Sequence, residues 1–148
     1  MSTLKETIAQ ATKDAMKSRA KARLGVLRLI NAEIKRLEVD ERRDLEDADV
    51  LDVLGKMRKQ RQDAQQQFEQ AERVDLAQQE AFEITVVEEF LPAQLDADAI
   101  AALVDEIIAA SGATGMQDMG KVMGQLKAQA GSQLDMGEAS AIVKAKLA

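Results

Sequence analysis

Apolar residues recur along this chain at spacings of three and four, broken by short polar connections, and the pattern predicts helices throughout. Thr3-Leu4-Lys5-Glu6 has the form of a capping box, so a first helix is expected from about Leu4 to Met16. A second, from about Ala20 to Glu38, carries Leu24, Leu27, Ile30, Ile34 and Leu37 on one stripe, which Val26 and Leu29 are expected to widen. Asp40 to Asp47 is a polar connection whose one apolar residue is Leu45, and Asp49 is a plausible cap for a long third helix reaching about Glu72. Val50, Leu51, Val53, Leu54 and Met57 make its first half apolar. Its second half offers Ala64, Phe68 and Ala71 among glutamines, and is expected to be thinly packed or to project.

Asp75-Leu76-Ala77-Gln78 reads as another capping box, opening a helix whose Ala81, Ile84, Val87 and Leu91 share one side. Pro92 lacks an amide hydrogen and disfavours helical geometry in the residue before it, so the helix must stop there. Three shorter helices follow, about Ala97–Ser111, Gln117–Ala130 and Met136–Leu147, with Gly112, Gly115 and Gly131 as stops and Asp135-Met136-Gly137-Glu138 as a final cap. The expected fold is all-α: an N-terminal domain of about four helices over residues 1–92, then a three-helix module over 93–148. No internal repeat and no sustained heptad register is evident.

Composition narrows the chemistry. The 148 residues are 46% hydrophobic but 2% aromatic, so the core must be aliphatic and methionine-filled, which suits helices and leaves no expected sheet. Cysteine and histidine are both absent. Their absence excludes a disulfide framework and removes the thiol nucleophile, the commonest general base and the usual zinc ligands. No cofactor, metal site or catalytic residue is expected. No segment has a signal-peptide core, and none approaches the ~18 apolar residues of a membrane span. A soluble, cytoplasmic protein is the expectation.

The net charge of −6 is unevenly spread. Between Lys13 and Arg36 eight basic residues face two acidic ones; between Glu38 and Asp52 eight acids face Arg42 and Arg43. Lys17 and Lys21, and likewise Arg19 and Arg23, would lie one turn apart on a helix, while Lys21, Arg28 and Lys35 recur every seven residues. Such rows suit a phosphate backbone, with affinity that falls steeply with salt. The competing reading is a solvated face paired with the acidic segment. Lys56, Arg58, Lys59 and Arg61 form a second cluster, with Asp52 placed for a helical ion pair to Lys56. No aromatic residue interleaves either cluster, so RNA would be gripped by shape and backbone rather than by stacking. Met116, Met119 and Met123 form a stripe that fits either core filling or a partner helix. Gly120 and Gly124 permit close backbone approach by a helix or by RNA. The adjacent Glu88 and Glu89 diverge on a helix and fit a solvated face.

The segment Gln67 to Leu95, with its Leu91-Pro92-Ala93-Gln94-Leu95 break, resembles the GatB/YqeY family. Met16 to Ile30, Met119 to Leu126 and Ile142-Val143-Lys144 extend the likeness over nearly the whole chain, in the family's order. That family includes free-standing YqeY-like proteins and the helical tail of the B subunit of a glutamine-dependent tRNA amidotransferase. The resemblance implies an association with tRNA or with a tRNA-handling protein complex, and kinship to a carbon–nitrogen ligase with glutamine as amide donor. The part of that subunit which performs the chemistry lies upstream of the similar region and has no counterpart here. By this likeness Lys121 and Lys127 become weaker candidate contacts beside Lys17, Arg19, Lys21, Arg23, Arg28, Lys56, Arg58, Lys59 and Arg61. After Gly131 the chain reads Ser132-Gln133-Leu134-Asp135, where family tails carry a basic residue and an Ala-Asp-Gly turn. From Ala93 onward seven acids outnumber four bases. A protein-interaction adaptor that binds no RNA is the other reading of the same sequence.

Overall fold

The computed structural model describes residues 3–148, and among them the chain is helical throughout, without a strand. It divides into two compact units between Leu91 and Pro92.

The first unit contains α1 (Leu4–Lys17), α2 (Lys21–Glu41), α3 (Asp47–Gln70) and α4 (Val74–Glu88). The capping box forms at α1: the Thr3 hydroxyl accepts from the Glu6 amide at 3.1 Å, and the Glu6 carboxylate accepts from the Thr3 amide at 3.0 Å. α2 continues past Glu38 to Glu41, because Glu38 is not a solvated end residue. Its carboxylate accepts from the Lys5 ammonium and, at 2.9 Å, from the Leu45 amide, and this holds the connecting loop while Leu45 inserts into the core. The cap of α3 is Glu46 rather than Asp49. Asp49 sits in the first turn and reaches back to the Glu46 amide at 2.9 Å, while Arg43 grips it with two hydrogen bonds of 2.8 and 3.0 Å. The box expected at Asp75 does not form: α4 starts one residue earlier, after Arg73, with no side-chain cap.

Arg43 first, and the Glu46 amide second, hold the Asp49 carboxyl at about 2, below its ordinary 3.8. A carboxylate lowered in this way stabilises the fold above its unfolded pKa, and that contribution disappears as pH falls through the folded one. Asp49→Asn should therefore flatten the fall of melting temperature between pH 4 and pH 2. An unchanged acid limb would show that the clamp does not contribute.

Ile8, Leu27, Ile30, Val50, Leu54 and Val87 lie at the centre of the first core, each wholly buried. Leu29 does not join them: it is 46% exposed. The second unit contains α5 (Ala97–Ser111), α6 (Met119–Ala130) and α7 (Met136–Leu147), with 3-10 turns at Met116–Asp118 and Gly131–Gln133. Asp96 and Asp135 cap α5 and α7. Gly112 ends α5 in the left-handed region (φ 70°), whereas Gly131 stays right-handed and passes the chain into a 3-10 turn. Ile100, Val104, Val122, Leu126, Ala139 and Val143 form a separate aliphatic core, against which Met119 and Met123 pack. That assigns two of the three methionines to core filling; Met116 remains 42% exposed.

Candidate nucleic-acid interface

Lys17 is the last residue of α1 and Lys21 the first of α2. Between them the chain makes a sharp elbow: Arg19 adopts φ 58°, and the Ala20 amide donates to the Ala15 carbonyl at 3.0 Å while the Arg19 amide donates to Met16 at 3.3 Å. This pair of bonds is a Schellman closure with arginine where glycine is usual. Arg42 and Glu72 take the same left-handed conformation at the ends of α2 and α3, so the device recurs in this unit and is not confined to the elbow. The break lies where the sequence predicts it, and it corrects the spacing inferred for the basic residues. Lys17 and Lys21 are not one turn apart on a single helix, and neither are Arg19 and Arg23. Lys17, Arg19 and Lys21 instead follow the bend, all exposed, and Arg28 is exposed farther along α2. Lys21, Arg28 and Lys35 do share one flank of α2, with successive rises of about 10.5 Å.

The acidic segment does not neutralise this elbow. Glu38 is committed to Lys5; Asp47 accepts from the Leu4 amide at 2.9 Å; Glu33 and Asp40 bracket Arg36 at 2.6 and 3.1 Å; Glu41 and Asp49 hold Arg43 at 3.1 and 2.8 Å. Lys17, Arg19, Lys21 and Arg28 belong to no ion pair among the described residues. Arg23 differs: it is half-buried and bonded to Glu89, just past the end of α4.

The profile of the family described as Yqey-like protein matches residues 5–147. The chain belongs to the YqeY family. No curated protein matches it. In this YqeY family member the second basic cluster does not form an open track. Arg58 is buried, at 4% exposure, and Arg61 reaches α4, where it lies 3.1 Å from Glu83 and 3.8 Å from Glu80. A buried guanidinium and one already flanked by two carboxylates are both withheld from phosphate. Lys59 forms an exposed pair with Asp63 at 3.3 Å, while the expected Asp52–Lys56 pair is absent among the described residues. Lys56 instead borders a groove of about 440 Å³ between α2 and α3 that Glu33, Arg36, Asp52 and Arg61 also line, so its charges are mixed in sign.

On α6, Lys121 and Lys127 are exposed and outside any ion pair among the described residues. A Cβ added at Gly120 or Gly124 would meet nothing within 4 Å, so neither glycine serves close packing inside the chain. Glu88 and Glu89 are exposed, as expected. Among the described residues no three acidic side chains cluster in a way that could hold a metal ion, and no single helix is long and apolar enough to cross a membrane.

Sequence reading missed the Glu80–Glu83 pair. Its three-residue spacing is visible on α4, but the arginine it faces comes from another helix. Burial first, then the Glu83 charge, push the Glu80 carboxyl above the ordinary carboxylate range against the opposing pull of Arg61, and its Oε2 is buried without a hydrogen bond. A carboxyl raised on folding weakens the fold as pH climbs through its folded pKa. Glu80→Gln should therefore raise the melting temperature at neutral pH, with the gain shrinking as pH falls toward the unfolded glutamate value of about 4.3. A loss at neutral pH would show that the Arg61 contact outweighs the burial cost.

Proposed function

We propose that this chain is an accessory tRNA-binding module of the cytoplasm, gripping the RNA backbone with the α1–α2 elbow and catalysing no reaction alone. One observation carries the reading: Lys17, Arg19, Lys21 and Arg28 stay exposed and unpaired while the neighbouring acids are committed to Lys5, Arg36 and Arg43. A polar surface that leaves four cations uncompensated in a protein of net charge −6 suits a polyanion held by local attraction. The overall negative charge keeps the affinity modest. Lys121 and Lys127 extend the proposed contacts to the second unit, and Lys56 is secondary. The likeness to the amidotransferase tail supports tRNA as the polyanion, and on this reading any carbon–nitrogen ligase role belongs to a larger assembly that supplies the chemistry.

Titration with unfractionated tRNA at a series of salt concentrations tests this. With four phosphate contacts the slope of log K against log salt should be about −3 to −4. A flat salt dependence, or no binding at low salt, removes the reading. Capture of a protein partner that survives nuclease treatment would favour the adaptor instead.

A further inference from the structure

The outward side of α2 carries a second pattern. Leu27 and Ile34 are buried in the core, and opposite them Ala22, Gly25, Leu29, Ala32, Arg36 and Val39 lie exposed at alternating spacings of three and four. Written as a heptad these are a and d positions, a seam rising about 25 Å. Val39 is 63% exposed and Leu29 46%, and a Cβ at Gly25 would meet nothing within 4 Å, so no part of the chain covers the seam there. The flanks differ in sign. The g positions are Lys21, Arg28 and Lys35; the e positions are Val26, Glu33 and Asp40.

We propose that this face pairs with the same face of a second copy, the two α2 helices running parallel and in register. The charges select that occupant and that direction. In a parallel pair each g residue meets the e residue five positions later on the partner helix. Arg28 then meets Glu33 and Lys35 meets Asp40, each carboxylate being shared with Arg36 of its own helix and each contact repeated by the two-fold axis. An antiparallel pair would set the three cations against one another and the two acids against one another. In register Arg36 faces its own copy, each guanidinium held by Glu33 and Asp40 of its own helix, and this like-charge contact is a cost that limits the strength of the pair. Two large apolar side chains per copy make this a weak, concentration-dependent dimer. Lys21 faces Val26 across the pair and so retains its free charge, whereas Arg28 is shared with the partner's Glu33. The inference does not depend on RNA binding.

The chain has no cysteine, so a single thiol reports position without ambiguity. After nuclease treatment, mild oxidation of Val39→Cys should give predominantly disulfide dimer. Gln67→Cys, exposed on α3, should give only a minor collisional fraction. Adding Glu33→Lys and Asp40→Lys to Val39→Cys should lower the dimer yield several-fold, with helicity unchanged by circular dichroism. Sedimentation of the unmodified protein should show average mass rising with concentration. Equal yields at 39 and 67, cross-linking at Ala32→Cys but not at Val39→Cys, or a constant monomer mass would each overturn the proposal.

Discussion

Reversing Lys17, Arg19, Lys21 and Arg28 together to glutamate should weaken tRNA binding by about a hundredfold or more at moderate salt and make the salt slope shallower by about 3 to 4. Each reversal removes a cation that has no internal partner and puts a negative charge in its place. The loss is therefore of contact and of local field, with no ion pair of the fold to break. Arg23→Glu should behave differently. Its guanidinium is bonded to Glu89, so the change places two carboxylates together and costs stability more than affinity. Glutamate at Lys121 and Lys127 should weaken binding less than the elbow variant does. Binding by the fourfold variant that matches the unmodified chain would discard the elbow as the site.

Truncating Leu54 to alanine should destabilise the first unit by about 2–5 kcal/mol, a large share of the roughly 5–15 kcal/mol that folds a typical domain. Leu54 is wholly buried in the same cluster as Val50, Ile30 and Val87. The deleted methyl groups leave a cavity that helices held at both ends cannot collapse into. Denaturant unfolding should show a lower midpoint with an unchanged slope. Leu29→Ala, at 46% exposure, should change the midpoint little. Equal effects at the two positions would contradict the burial that separates them.

The contrast between those two leucines shows how far the sequence could be read. Helix positions, the capping box at Thr3 and the all-helical class follow from local chemistry, although α4 ends at Glu88, before Leu91 and the expected stop at Pro92. Periodicity also identifies the core stripe of α2 through Leu27, Ile30 and Ile34. It does not say how wide the stripe is. Leu29 lies about 120° around the helix from the centre of that stripe, and only the placement of α1, α3 and α4 decides that it faces water. The seam escaped notice for the same reason, since alanine, glycine and arginine give no apolar signal until burial of the opposite side is known. For the basic residues, local spacing misled in both directions. Asp52 and Lys56 have the spacing of a helical pair and do not form one, whereas Arg61 finds Glu80 and Glu83, and Arg23 finds Glu89, across gaps that no short-range rule spans. The break between the first two helices was legible, but its sharp left-handed turn at Arg19 was not, because glycine usually marks such a reversal and here an arginine occupies it.

That corner is knitted by main-chain hydrogen bonds from Arg19 and Ala20 to carbonyls of α1. The basic side chains of Lys17, Arg19 and Lys21 take no part in those bonds. On the proposed reading, the basic residues there can be exchanged, changing any polyanion preference, at little cost to the architecture. Recognition and folding are in this way left free to evolve on separate schedules.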